Sequence, residues 1–157
     1  MERYYLIETK VGRAWAKPTS GTHIYLAAGS NVLPGGTPEY PKGSRMGPVT
    51  VNGVVYAASA HFTLIDGRWT CEPPHERDGV YMSRLEYLGL NREWTWPARR
   101  KLMAIWTAAI NTWAESPEGV QAIAEAVKQD AEQKEETRQS EIANLKTRLA
   151  ELEQVNS

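Results

Sequence analysis

The chain has one cysteine, Cys71, so no internal disulfide can form. No apolar run approaches the ~20 residues that a membrane-crossing helix needs. The first residues, Met1-Glu2-Arg3-Tyr4-Tyr5, lack the basic stretch followed by a long apolar one that marks a secretion signal. These absences predict a cytoplasmic protein, in the host cytoplasm if a phage encodes it, with no membrane partner. Neither sign of charge dominates: the net charge is −1 over 157 residues. There is no internal repeat and no low-complexity tail, and the length suits one ordinary domain or a small domain with an extension.

Catalytic and metal motifs are equally scarce. The glycines between Gly29 and Gly36 invite a phosphate-loop reading, but no Gly-Lys-Ser/Thr follows, and Pro34 falls where the second glycine should be. Cys71 and His75 have zinc-like spacing with His61 upstream, yet a structural zinc needs four ligands. Ser59, His61 and Asp66 supply the residue types of a hydrolytic triad without a nucleophile elbow or an oxyanion loop. His23, beside Thr22, reads as a strand histidine. No catalytic residue, cofactor or metal is therefore assigned. An enzyme would have to draw on scattered residues such as His61, His75, Glu76, Asp78 and Arg84, and this is the alternative to a binding protein.

Tryptophan and tyrosine are what the chain has in plenty, six and seven against one phenylalanine. Both combine a large apolar surface with a polar handle, which suits half-buried positions at interfaces and pocket walls as well as a small core. Arg3–Thr9 and Thr22–Ala28 read as strands, and Val11–Ala16 continues or returns the first, with Gly12 as a bend. Residues 29–48, punctuated by five glycines and four prolines, form a long loop that is a candidate for binding. Two hairpins follow. Asn52-Gly53 and Asp66-Gly67 supply the paired positive φ angles of type I′ turns between β-forming runs. Residues 71–79 are a loop. Val80–Met82 suits a strand, and 83–88 suits a turn or short helix closed by Gly89.

A helix over 96–114 has Pro97 in its first turn and apolar residues Leu102, Ile105, Trp106, Ala109, Ile110 and Trp113 at helical spacing, widened by Met103 and Ala104. It should cover one face of the sheet. Ser116-Pro117 caps a new helix that runs to about Gln154. Val120, Ile123, Ala124 and Val127 offer its first turns a face toward the body. Its middle is polar, with Asp130/Lys134 and Glu135/Arg138 as surface pairs. Its end carries a 3-4-3 seam of Ile142, Leu145, Leu149 and Leu152, the a/d spacing of a coiled coil over 142–155. The fold class is α+β: an antiparallel β-meander body over residues 1–115, then a long C-terminal helix over 116–157.

Charge divides along the same line. Residues 1–116 hold thirteen Lys+Arg against ten Asp+Glu, a balance of +3, and residues 117–157 hold five against nine, a balance of −4. An acidic rod is unsuited to DNA or an anionic membrane. On the body, Arg77, Arg84, Arg92, Trp94, Trp96, Arg99 and Arg100 form a basic, aromatic cluster with the chemistry to grip a nucleotide-like anion. The sequence thus predicts a non-enzymatic binding protein. It would self-associate through Ile142, Leu145, Leu149 and Leu152 and hold a partner protein or a small anionic ligand on its body. Inhibitors and sequestering proteins of phages and bacteria offer an analogy. A nucleic-acid-binding accessory protein is the further alternative.

Overall fold

The computed structural model describes residues 3–29, 40–71, 80–86, 89–91 and 96–155. Among them are eight strands and two helices. Strands β1 (Tyr5–Thr9) and β2 (Gly12–Pro18) form a hairpin with Tyr5 opposite Ala16 and Thr9 opposite Gly12. Gly12 has a φ of 131°, and a Cβ there would stand 3.0 Å from the Pro48 carbonyl oxygen, so the turn needs a glycine. Strand β3 (His23–Ala28) pairs antiparallel with β2.

The two expected tight turns are present. Asn52 and Gly53 have φ of 53° and 78°, and Asp66 and Gly67 have 51° and 78°. These left-handed pairs match the twist of the flanking strands. The two hairpins share one long strand. β4 (Val49–Val51) and β6 (Arg68–Cys71) both pair with β5 (Val54–Ile65), which has 12 residues. On one edge β5 meets β4 and then β3, and on the other it meets β7 (Val80–Glu86) and then β6. The order along the sheet is β1-β2-β3-β5-β7-β8, with β8 at Gly89–Asn91. β4 and β6 are too short to cover β5, so two of its pairings skip a neighbour in sequence. Residues 83–86 continue β7, contrary to the expected turn or helix, and Gly89 opens β8 instead of closing a helix. Pairing with β5 and β8 on both edges outweighs the local helical pattern.

Helix α1 (Trp96–Glu115) covers one face of this sheet. Leu102, Trp106 and Ile110 are fully buried, with Ala98 and Trp113 extending the stripe. Burial of each large side chain stabilises the fold by about 1.5–3 kcal/mol. They pack in one core with Ile24, Leu26, Tyr56, Phe62 and Met82. Ala104, expected to widen this stripe, points outward and is exposed. Asn111 ties the helix to β6: its Oδ1 accepts from the Trp69 N–H at 2.9 Å, and its Nδ2 donates to the Trp69 carbonyl at 2.9 Å.

Helix α2 (Pro117–Val155) starts at a tight corner. Ser116 caps it, its Oγ accepting from the Gly119 N–H at 3.1 Å. Trp113 Nε1 donates across the corner to Glu118 Oε1 at 3.0 Å. The face turned to the body is Gly119, Ala122 and Ala126. The valines expected there, Val120 and Val127, are 57% and 48% exposed, Ala124 is exposed, and Ile123 is half-buried. Small side chains win this face because they let the helix approach closely. At 39 residues, α2 is about 58 Å long. No described helix is long and apolar enough to cross a membrane.

Candidate functional site

The last residue of α2 to be buried is Ala126. Beyond it the helix carries its own ion pairs, with Lys134 Nζ 3.1 Å from Asp130 Oδ2. Its end presents Leu145, Leu149 and Leu152 at 59%, 58% and 58% exposure, with Val155 at 80%. Ile142 is half-exposed. The 3-4-3 spacing places these side chains on one side of the helix. The seam predicted from sequence is therefore an apolar stripe on a solvated rod.

The basic cluster is divided. Arg99 is 1% exposed and points inward, its Nε and Nη2 donating to the Val80 carbonyl at 3.1 and 2.6 Å. It ties the start of α1 to β7, so Arg99 leaves the ligand-binding set. Arg100, one residue on, is exposed. Arg84 lies in β7 with its backbone opposite Tyr56, and Trp96 opens α1. Arg77, Arg92 and Trp94 lie outside the described residues, as do His75, Glu76 and Asp78. His61 and Cys71 fall on opposite faces of the sheet: Cys71 packs against the helix-covered core, and His61 pairs with Tyr25 on the other side. Asp66 opens the turn that follows β5, five residues beyond His61, so the triad residues are not brought together. Among the described residues no three His, Cys, Asp or Glu side chains are grouped to hold a metal.

A second cluster occupies the opposite face of the sheet, unnoticed in the sequence. Tyr4, Trp15, Ala27 and Met46 are buried there, with Leu6, Tyr25 and Tyr40 packed around them. Residues 40–47 fold over this face. Gly29 N–H donates to the Gly47 carbonyl at 2.8 Å, and Tyr40 stands edge-on to Trp15 with ring centroids 6.3 Å apart. Arg13 holds Tyr40 in place, hydrogen-bonding its hydroxyl and lying over its ring. The register sets Lys17 opposite Tyr25 and Tyr25 opposite His61. Tyr25 and His61 rings lie 4.9 Å apart at 44°. Alternation was the available signal: Trp15 stands between Ala14 and Ala16, two small core residues pointing the other way.

Two hollows flank the helices. One of about 680 Å³ lies between β1 and the outer side of α1, lined by Ile7, Ala104, Ile105, Ala108 and Ala109. A smaller cleft of about 230 Å³ lies where α2 passes the ends of β1 and β2, lined by Arg3, Tyr5, Ala122 and Glu125. Burial raises the Tyr5 hydroxyl above its ordinary pKa, helped by the Glu125 and Glu118 carboxylates and opposed by Arg3. No family model, curated protein or solved structure matches this chain.

Proposed function

We propose that the chain is a homo-oligomeric binding protein, acting by holding a partner or ligand and not by catalysis, whose copies pair through the C-terminal seam of α2. The observation that carries this is the exposure of Leu145, Leu149 and Leu152 on an otherwise polar helix. A seam of two heptads gives a weak pair, because association must first offset the lost freedom of two bodies. The flanking charges favour a parallel arrangement. With Ile142 and Leu149 at a, the g positions are Glu141 and Arg148 and the e positions are Lys146 and Glu153, all exposed. In a parallel pair each g residue faces the e residue five positions on in its partner. Glu141 then meets Lys146, and Arg148 meets Glu153, both attractive. Pairing would leave two copies of the body free to engage a target together, as an inhibitor or a sequestering protein does.

Sedimentation velocity over a range of concentrations tests this. The wild type should associate with increasing concentration. The variant Leu145→Glu/Leu149→Glu should remain monomeric with unchanged helicity by circular dichroism, since both positions are solvent-exposed. Reversing Glu141→Lys and Arg148→Glu should weaken association, and adding Lys146→Glu and Glu153→Lys should restore it. A wild type that stays monomeric at every concentration, or a Leu→Glu variant that associates as well, ends the proposal.

A further inference from the structure

We infer that the sheet face opposite α1 is a platform for single-stranded nucleic acid, with Tyr25 and His61 as stacking surfaces and Arg13, Lys17, Lys42 and Arg45 as phosphate-facing cations. The site is distinct from the C-terminal seam and stands whether or not the chain assembles.

Strand alternation builds the platform. Tyr5, Ala14, Ala16, Ile24, Leu26, Ala58 and Ala60 face the core under α1. Their neighbours in sequence, Tyr4, Arg13, Trp15, Lys17, Tyr25, Ser59 and His61, therefore face the other way. Register aligns three of these into a row across β2, β3 and β5: Lys17, Tyr25 and His61; Tyr4, just before β1, joins it through Lys17. Tyr4 is buried at one end with the Lys17 ammonium 5.8 Å from its ring centre. At the other end Tyr25 is half-buried and His61 exposed, and their rings pack at 4.9 Å. Adjacent rings backed by a rigid sheet offer π-faces to unpaired bases.

Charge selects the ligand class. Arg13 and Lys17 lie on the strands, and the segment that folds over this face adds exposed Lys42 and Arg45. Glu8 is the carboxylate of β1 on this side, 3.5 Å from Arg13. Among the described residues this side thus carries four cations against one carboxylate, while the −4 balance of residues 117–157 lies on the rod. A polyanion answers these cations, and only one with exposed bases also uses the rings. An acidic protein segment would use the cations alone, and a duplex keeps its base faces stacked inside.

Fluorescence anisotropy of a labelled oligo-dT of about 16 nucleotides, titrated with the full chain, tests this. Binding should occur at low salt, with log affinity falling linearly in log salt. Tyr25→Ala and His61→Ala should each weaken it by roughly 5- to 100-fold, the contribution of one stacked base, while Tyr25→Phe should bind as the wild type does. Lys17→Ala should lower the salt slope by about one. His61 is exposed, so His61→Ala keeps the test decisive even if Tyr25→Ala unfolds. The inference is overturned if oligo-dT does not bind at low salt, or if His61→Ala leaves binding unchanged. It is also overturned if a duplex of equal length binds as well, which would mean bare charge attraction, or if poly-glutamate binds more tightly, which would point to an acidic protein partner.

Discussion

A Cβ placed on Gly119 would lie 1.9 Å from the carbonyl oxygen of Trp113 and 2.7 Å from its carbonyl carbon. The corner between α1 and α2 closes so tightly that backbone meets backbone there. Two effects of Gly119→Ala then oppose each other. Helix propensity alone favours alanine by about 1 kcal/mol. The clash involves main chain, which cannot rotate away, and overpacking of this kind costs about 1–3 kcal/mol or more. The clash should win, and urea denaturation should show a lower midpoint for Gly119→Ala at unchanged slope. A raised midpoint would mean that the corner is looser than its contacts indicate.

Arg99 and Arg100 are neighbours in sequence with opposite fates. Arg99→Met keeps the length of the side chain but removes both donors to the Val80 carbonyl. A buried acceptor losing its charged partner should cost about 2–4 kcal/mol. Arg99→Lys should fall between the two, since an ammonium cannot reproduce the guanidinium fork. Arg100→Ala is a surface change and should shift stability by less than about 0.5 kcal/mol. Equal effects at the two positions, measured by thermal or chemical unfolding, would contradict the inward placement of Arg99.

What could be read from the sequence depended on how local each cause was. Asn52-Gly53, Asp66-Gly67 and Ser116-Pro117 announce their turns and cap because the chemistry lies within a few residues. The stripe from Leu102 to Trp113 announces a covering helix through its period. The continuity of β5 was not legible, because Ala57, Ala58 and Ala60 carry no strand preference. The small size of Ala58 and Ala60 reflects a strand paired on both edges beneath a helix, and that of Ala57 the close approach of Gly29 on the other face, which are tertiary facts. The same holds for Gly119, Ala122 and Ala126, where close approach favours the small residues and hydropathy favours the nearby valines. One residue of helix rotation separates a buried Arg99 from an exposed Arg100, and composition cannot supply that phase. Asn111 looks like a surface residue until β6 is seen to need its amide. The row of Lys17, Tyr25 and His61 exists only once the strand order is known.

Tyr5 links the first strand to both helices, and it should make stability depend on alkaline pH. Its ring packs 5.6 Å from Trp113, and its hydroxyl donates to Glu125 Oε2 at 3.5 Å. Burial is the largest cause of its raised pKa. Glu125 and Glu118 add to the rise, and Arg3, whose guanidinium lies over the ring at 4.8 Å, subtracts from it. The neutral hydroxyl is thus favoured in the folded chain more than in the unfolded one. Its contribution is fully present below the ordinary value of 10.0 and is lost as pH rises through the higher folded value. Denaturation midpoints of the wild type should therefore fall above pH 10.0 by more than those of Tyr5→Phe, with the two curves parallel at neutral pH. A Tyr5→Phe variant that falls as steeply as the wild type would show that other groups set the alkaline limit. One that gains stability at neutral pH would show that the hydroxyl, so close to Glu125, costs more in desolvation than its hydrogen bond returns.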